Sequence, residues 1–158
     1  MRLLDHLKLQ QAHVIGYSMG GMITLKLLVK HPERVKSAVL GGMGWLKTGG
    51  VLQQTWERMP GREGAAVPPA CVRGLGRLAV TETELKAVRV PVTVIVGERD
   101  PVRRLYVEPL QGARPDWPVR IIAGAGHLNC IAKPEFQAEL RKALGSGAGD
   151  RKSTRLTP

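Results

Sequence analysis

The 158-residue chain is short of the residues that mark several protein classes. It has two cysteines, Cys71 and Cys130, far apart and outside any Cys-x-x-Cys or Cys/His spacing. Two thiols so placed build neither a disulfide framework nor a structural zinc site, and they suit a reducing compartment. Aromatic residues make up 4% of the chain, too few to suggest a base-stacking surface. No apolar run approaches the ~20 residues that a bilayer span requires. The opening MRLLDHLKLQ interrupts its apolar pattern with Arg2, Asp5 and Lys8, unlike a secretory signal. The expected location is therefore cytoplasmic, with no membrane partner. Acidic residues are scarce, 13 against 24 Lys and Arg, giving a net charge of +11. The last eighteen residues hold Arg141, Lys142, Arg151, Lys152 and Arg155 against Asp150 alone, and the rest of the excess is scattered. Without a clustered basic face, no nucleic-acid partner is expected.

What is present predicts one α/β domain. Leu3, Leu4 and Leu7 share a helical face. The β-rich run AHVIGY, 12–17, resembles a buried parallel strand. After Ser18-Met19-Gly20-Gly21, MITLKLLVKH predicts a helix that stops at Pro32. A second strand is expected over 35–42, a third over 92–97 and a fourth over 118–124. Helices are expected over 102–108 and 133–144, and Thr81 and Glu84 have capping-box spacing. Between about 42 and 80 the chain is rich in Gly and Pro and carries Trp45 and Trp56. That stretch predicts an irregular insertion with one or two short helices, one near 52–58.

Gly16-Tyr17-Ser18-Met19-Gly20 matches G-x-S-x-G between a predicted strand and a predicted helix. In this context the pattern is a nucleophile elbow. Both glycines are expected to relieve crowding in the sharp turn. The turn lifts the Ser18 hydroxyl and aims the Met19 N–H and the helix dipole at one point, where an oxyanion would be stabilised. A phosphate-binding turn is disfavoured, since G-x-G-x-x-G and a following lysine are both lacking.

A serine nucleophile needs a base, and the base an orienting carboxylate. His6 falls on the first helix, His31 at a helix end and His13 within the elbow strand. His127 alone occupies a glycine-bounded loop after a strand. Asp100 follows the third strand directly, with Glu98 as the alternative acid. In an open parallel sheet the C-terminal strand ends share one crevice, so Ser18, Asp100 and His127 are the expected catalytic set. Asp100 before Pro101 would also suit a simple turn, and His127 a purely structural loop role.

Three segments, VIGYSMGGMITLKLLVKHPERVKSAVL, VPVTVIVGERDPV and IIAGAGHLNC, resemble the nucleophile, acid and histidine segments of the α/β-hydrolase superfamily, nearest its esterase-like group with a small cap. The resemblance runs over about 1–144. It implies a partial α/β-hydrolase fold of about four parallel strands flanked by helices, in a domain over 1–145 with a short cap-like insertion at about 42–80. It also implies hydrolysis of a small ester-like or related acyl substrate, without metal or organic cofactor. Ser18 would be the nucleophile, His127 the base, Asp100 the acid and Met19 N–H one oxyanion donor. Leu128 and Met19 would line the acyl pocket, with Met43 and Trp45 as further candidates.

Family members have eight strands and a second oxyanion donor on a loop after the third. Four strands without that loop predict a truncated form of impaired activity, or a non-catalytic fragment serving as a folding or interaction module. They also predict an exposed edge along 12–17, prone to self-association. The tail 146–158 reads as disordered. Its DRKSTRL resembles translated sequencing-adapter read-through, which would make 150–158 an artefact.

Overall fold

The computed structural model describes residues 2–59 and 68–145. The tail expectation for 146–158 and the centre of the expected insertion lie outside the described residues. Four strands form one parallel sheet in the order β1 (Ala12–Tyr17), β2 (Val35–Gly41), β3 (Val92–Gly97) and β4 (Val119–Ile122). Because all four run the same way, the loops after β1, β3 and β4 emerge at the same end of the sheet.

Helices cover both faces, so the central strands are apolar on both sides. One face is packed by α2 (Met19–Lys30), α5 (Glu82–Ala87) and α6 (Glu108–Ala113). In α2 the buried positions Met22, Leu25 and Leu28 recur at helical spacing, which presents one stripe to the sheet. Leu25 and Leu28 meet Ala38, Leu40, Val92, Val94 and Val96. On the opposite face Phe136 of α7 (Pro134–Gly145) packs with Val39, Ile95 and Ile122. Burying each such aliphatic side chain contributes about 1.5–3 kcal/mol. A first short helix, α1 (Arg2–His6), precedes β1 and buries none of its residues.

Among its described residues the expected insertion contains two helices, α3 (Val51–Arg58) and α4 (Pro69–Gly74), and then a 3-10 turn over Leu75–Leu78. An isolated bridge between Lys47 and Val80 ties its two ends together. Leu52, Trp56, Leu75 and Leu78 pack against Met22 of α2, with Met43, Leu46, Ala79 and Tyr106.

Several boundaries differ from the sequence expectation. The second strand stops at Gly41, because Gly42 turns to φ +54°. The fourth is shorter than 118–124, since Gly124 has φ +61° and Pro118 has no N–H for a strand ladder. The helix expected over 102–108 continues to Ala113, through a π-type turn at Arg103–Val107. That wider turn brings Tyr106 and Val107, adjacent in sequence, both into the interior.

Candidate active site

Ser18 joins β1 to α2 and has φ 54° and ψ −120°, unusual for a residue with a side chain. Such a conformation costs about 1–3 kcal/mol and persists only where its surroundings enforce it. Here they do. The Ser18 N–H donates to Gly41 O at 2.8 Å, and its carbonyl accepts from Gly21 N at 2.8 Å.

The crowding at this turn is distributed differently from the sequence expectation. A Cβ on Gly16 would lie 2.0 Å from Gly20 O and 2.4 Å from Thr24 Oγ1. Among the described residues nothing lies within 4 Å of a Cβ on Gly20. Gly21, outside the five-residue motif, is the second tight position, its Cβ falling 2.7 Å from Met43 Cβ. The elbow requires Gly16 because α2 packs directly over the end of β1, whereas position 20 faces open space.

Ser18 Oγ and His127 Nε2 are 2.8 Å apart, and His127 Nδ1 and Asp100 Oδ2 are 2.8 Å apart. A carboxylate can only accept, so this contact places the imidazole proton on Nδ1 and turns the Nε2 lone pair toward the serine. Asp100 is 2% exposed. Its second oxygen accepts from Val102 N at 2.9 Å, so both carboxylate oxygens have partners. The Met19 N–H, at the start of α2, has no acceptor among the described residues.

The histidine loop is held from several sides. Gly126 N donates to Asn129 Oδ1 at 2.8 Å, and Arg99 N to Ala125 O at 2.9 Å. The alternative acid, Glu98, accepts from Gly124 N at 2.8 Å. It anchors this loop and leaves the imidazole to Asp100. His13 is engaged elsewhere, 2.7 Å from Ser37 Oγ, in a cleft of about 600 Å³ at the N-terminal strand ends. His6 and His31 are exposed.

The tentative pocket residues diverge. Leu128 is 92% and Met19 49% exposed, presenting apolar surface beside His127 and Ser18. Met43 is buried against Met22 and Tyr106. Trp45 is buried in the main core, with the indole N–H donating to Val80 O at 2.8 Å. Tyr17 and Asn129 escaped the sequence reading, although an aromatic beside Ser18 and an amide two residues after His127 were visible signals. Among the described residues no group of three or more His, Cys, Asp or Glu side chains is arranged to hold a metal. No helix among them is long and apolar enough to cross a membrane.

Residues 2–68 match the family model described as alpha/beta hydrolase fold. An uncharacterized carboxylesterase of Bacillus subtilis is 24% identical, aligned over 87% of this chain and 57% of its own length. A 2-hydroxymuconate semialdehyde hydrolase of Pseudomonas putida is 27% identical, over 87% of this chain and 63% of its own. Among solved structures, a serine hydrolase from Cycloclasticus zankles superposes with a TM-score of 0.66 at 22% identity, covering 94% of this chain and 69% of that one. Fold and matches together show a partial α/β-hydrolase fold and a similarity to hydrolases of that superfamily. It spans less than two thirds of the length of these curated relatives.

Proposed function

We propose that this chain carries the reacting groups of a serine hydrolase acting on an ester or related acyl bond. The observation that carries this reading is the unbroken relay from Ser18 Oγ through His127 to the buried Asp100. His127 Nε2 takes the hydroxyl proton as Ser18 Oγ bonds to the substrate carbonyl carbon. The proton then passes to the leaving group as the tetrahedral intermediate collapses to an acyl-enzyme. Water, deprotonated by the same imidazole, adds to the acyl carbon and releases the acid, returning the proton to Ser18. Asp100 fixes the ring and stabilises the imidazolium that forms twice in each cycle. The unpartnered Met19 N–H is the oxyanion donor these residues supply, and exposed Leu128 and Met19 offer apolar contact for an acyl group. The carboxylesterase and hydrolase relatives support the reaction class.

A fluorophosphonate probe tests this reading. The chain is expected to be labelled at Ser18, with labelling abolished in Ser18→Ala and reduced at least a hundredfold in His127→Ala. A wild-type chain that is folded yet takes no label would overturn it. One feature favours a second reading, an interaction module without turnover: β1 lies at the sheet edge and presents Ile15, 46% exposed.

A further inference from the structure

The residue before the nucleophile makes contacts that neither the elbow nor the relay explains. Tyr17 ends β1 and turns its side chain toward the α7 face of the sheet. Its ring fits where β2 ends in two glycines: a Cβ at Gly41 would lie 2.8 Å from Tyr17 Cδ2, and one at Gly42 2.9 Å from Cζ. The ring meets Phe136 edge-on at 5.8 Å and 76°, and lies 5.6 Å from the His127 ring at 34°. Beyond these, the Tyr17 hydroxyl donates to the backbone carbonyl of His127.

These contacts close a loop of interactions. Ser18 and Tyr17 are neighbours in the chain; Tyr17 holds the backbone of His127, and the His127 ring returns to Ser18 Oγ. The residues so linked are 109 and 110 positions apart in sequence. We propose that Tyr17 is a positioning residue, whose hydroxyl fixes the depth of His127 relative to Ser18 and so sets the serine–imidazole distance. The reading rests on the proposed hydrolase mechanism but adds a residue to it. Burial first, and then nearby Cys130 and Asp100, push ionisation of the hydroxyl well above the usual phenol range. It therefore stays a donor wherever the imidazole can work as a base. The other fastenings of the loop, Glu98 on Gly124 N and Asn129 on Gly126 N, hold backbone that precedes His127 and leave its own carbonyl to Tyr17.

Tyr17→Phe keeps the ring against Phe136 and removes only the donor. Its fluorophosphonate labelling and kcat on a short-chain nitrophenyl ester are expected to fall roughly ten- to a hundredfold, as small misplacements of reacting groups do. KM and the thermal midpoint should stay near wild type. Proton NMR supplies a readout independent of turnover. A low-field His127 Nδ1–H resonance is expected in wild type, from the 2.8 Å contact with Asp100, and should broaden or shift in Tyr17→Phe. Labelling, kcat and resonance all at wild-type values would overturn the proposal, as would an activity loss that merely tracks the folded fraction. A wild-type chain that takes no label counts against the hydrolase reading, and the resonance comparison still decides the role of Tyr17.

Discussion

At the scale of single residues, the site depends on atoms that are absent as much as on those present. Gly16 leaves room for Gly20 O and Thr24 Oγ1, which would lie 2.0 and 2.4 Å from an added Cβ. Neither can retreat easily: Gly20 O belongs to the backbone of α2, and Thr24 Oγ1 donates to it at 2.8 Å. Gly16→Ala is therefore expected to destabilise the protein by at least about 1–3 kcal/mol, the range for overpacking a tight interior. It should also suppress labelling of Ser18 in whatever folds, as measured by denaturant titration alongside probe incorporation. Gly20→Ala meets no such obstacle and is expected to retain wild-type stability or gain from the better helix propensity. The motif alone treats these two glycines alike; the packing of α2 on β1 separates them.

At the scale of elements, α5 shows what local sequence can determine. Thr81 Oγ1 accepts from Glu84 N at 3.2 Å, while Thr81 N donates to the Glu84 carboxylate at 2.8 Å. Thr81→Ala is expected to cost about 1 kcal/mol, the usual value of an N-cap, visible as a lowered denaturation midpoint. The Thr81 backbone N–H is the main cause holding the Glu84 carboxyl below its ordinary range. A carboxyl depressed in the folded state stabilises above its unfolded pKa and loses that contribution as pH falls through the folded value. The difference between wild type and Glu84→Gln should accordingly shrink in acid, as pH falls below the ordinary carboxyl range. A difference that instead grew on acidification would contradict this.

The capping box, the strands and the strand-end turns that carry Ser18, Asp100 and His127 were legible because each is written within a few adjacent residues. The burial of Trp45, the anchoring role of Glu98 and the reach of Tyr17 were not. Each depends on a backbone group distant in the chain: Val80 O for Trp45, Gly124 N for Glu98 and the His127 carbonyl for Tyr17. Periodicity reports which way a side chain faces, but not which distant backbone group it meets.

At the scale of the whole molecule, the two sides of the sheet are unequally covered. Ile15 of β1 is in register with Val39 of β2, yet Val39 is 1% exposed and Ile15 46%. α7 packs over β2, β3 and β4, so burial fades toward the β1 edge, where Leu7 and Leu9 are also exposed. An uncovered edge strand with apolar neighbours favours strand pairing between copies. Sedimentation velocity is expected to show association that rises with concentration, and Ile15→Lys should diminish it without changing the far-UV spectrum. A strictly monomeric wild type at high concentration would contradict this expectation.

The span between Ser18 and His127 also has a temporal meaning. Contacts between residues 109 positions apart close one of the longest loops in the chain, and such closures carry the entropic cost that slows folding. The strands must already be ordered side by side before imidazole and hydroxyl can meet. On the proposed hydrolase reading, nucleophilicity at Ser18 would thus be acquired late during folding, and a serine-directed probe added during refolding would act as a clock for completion of the native state.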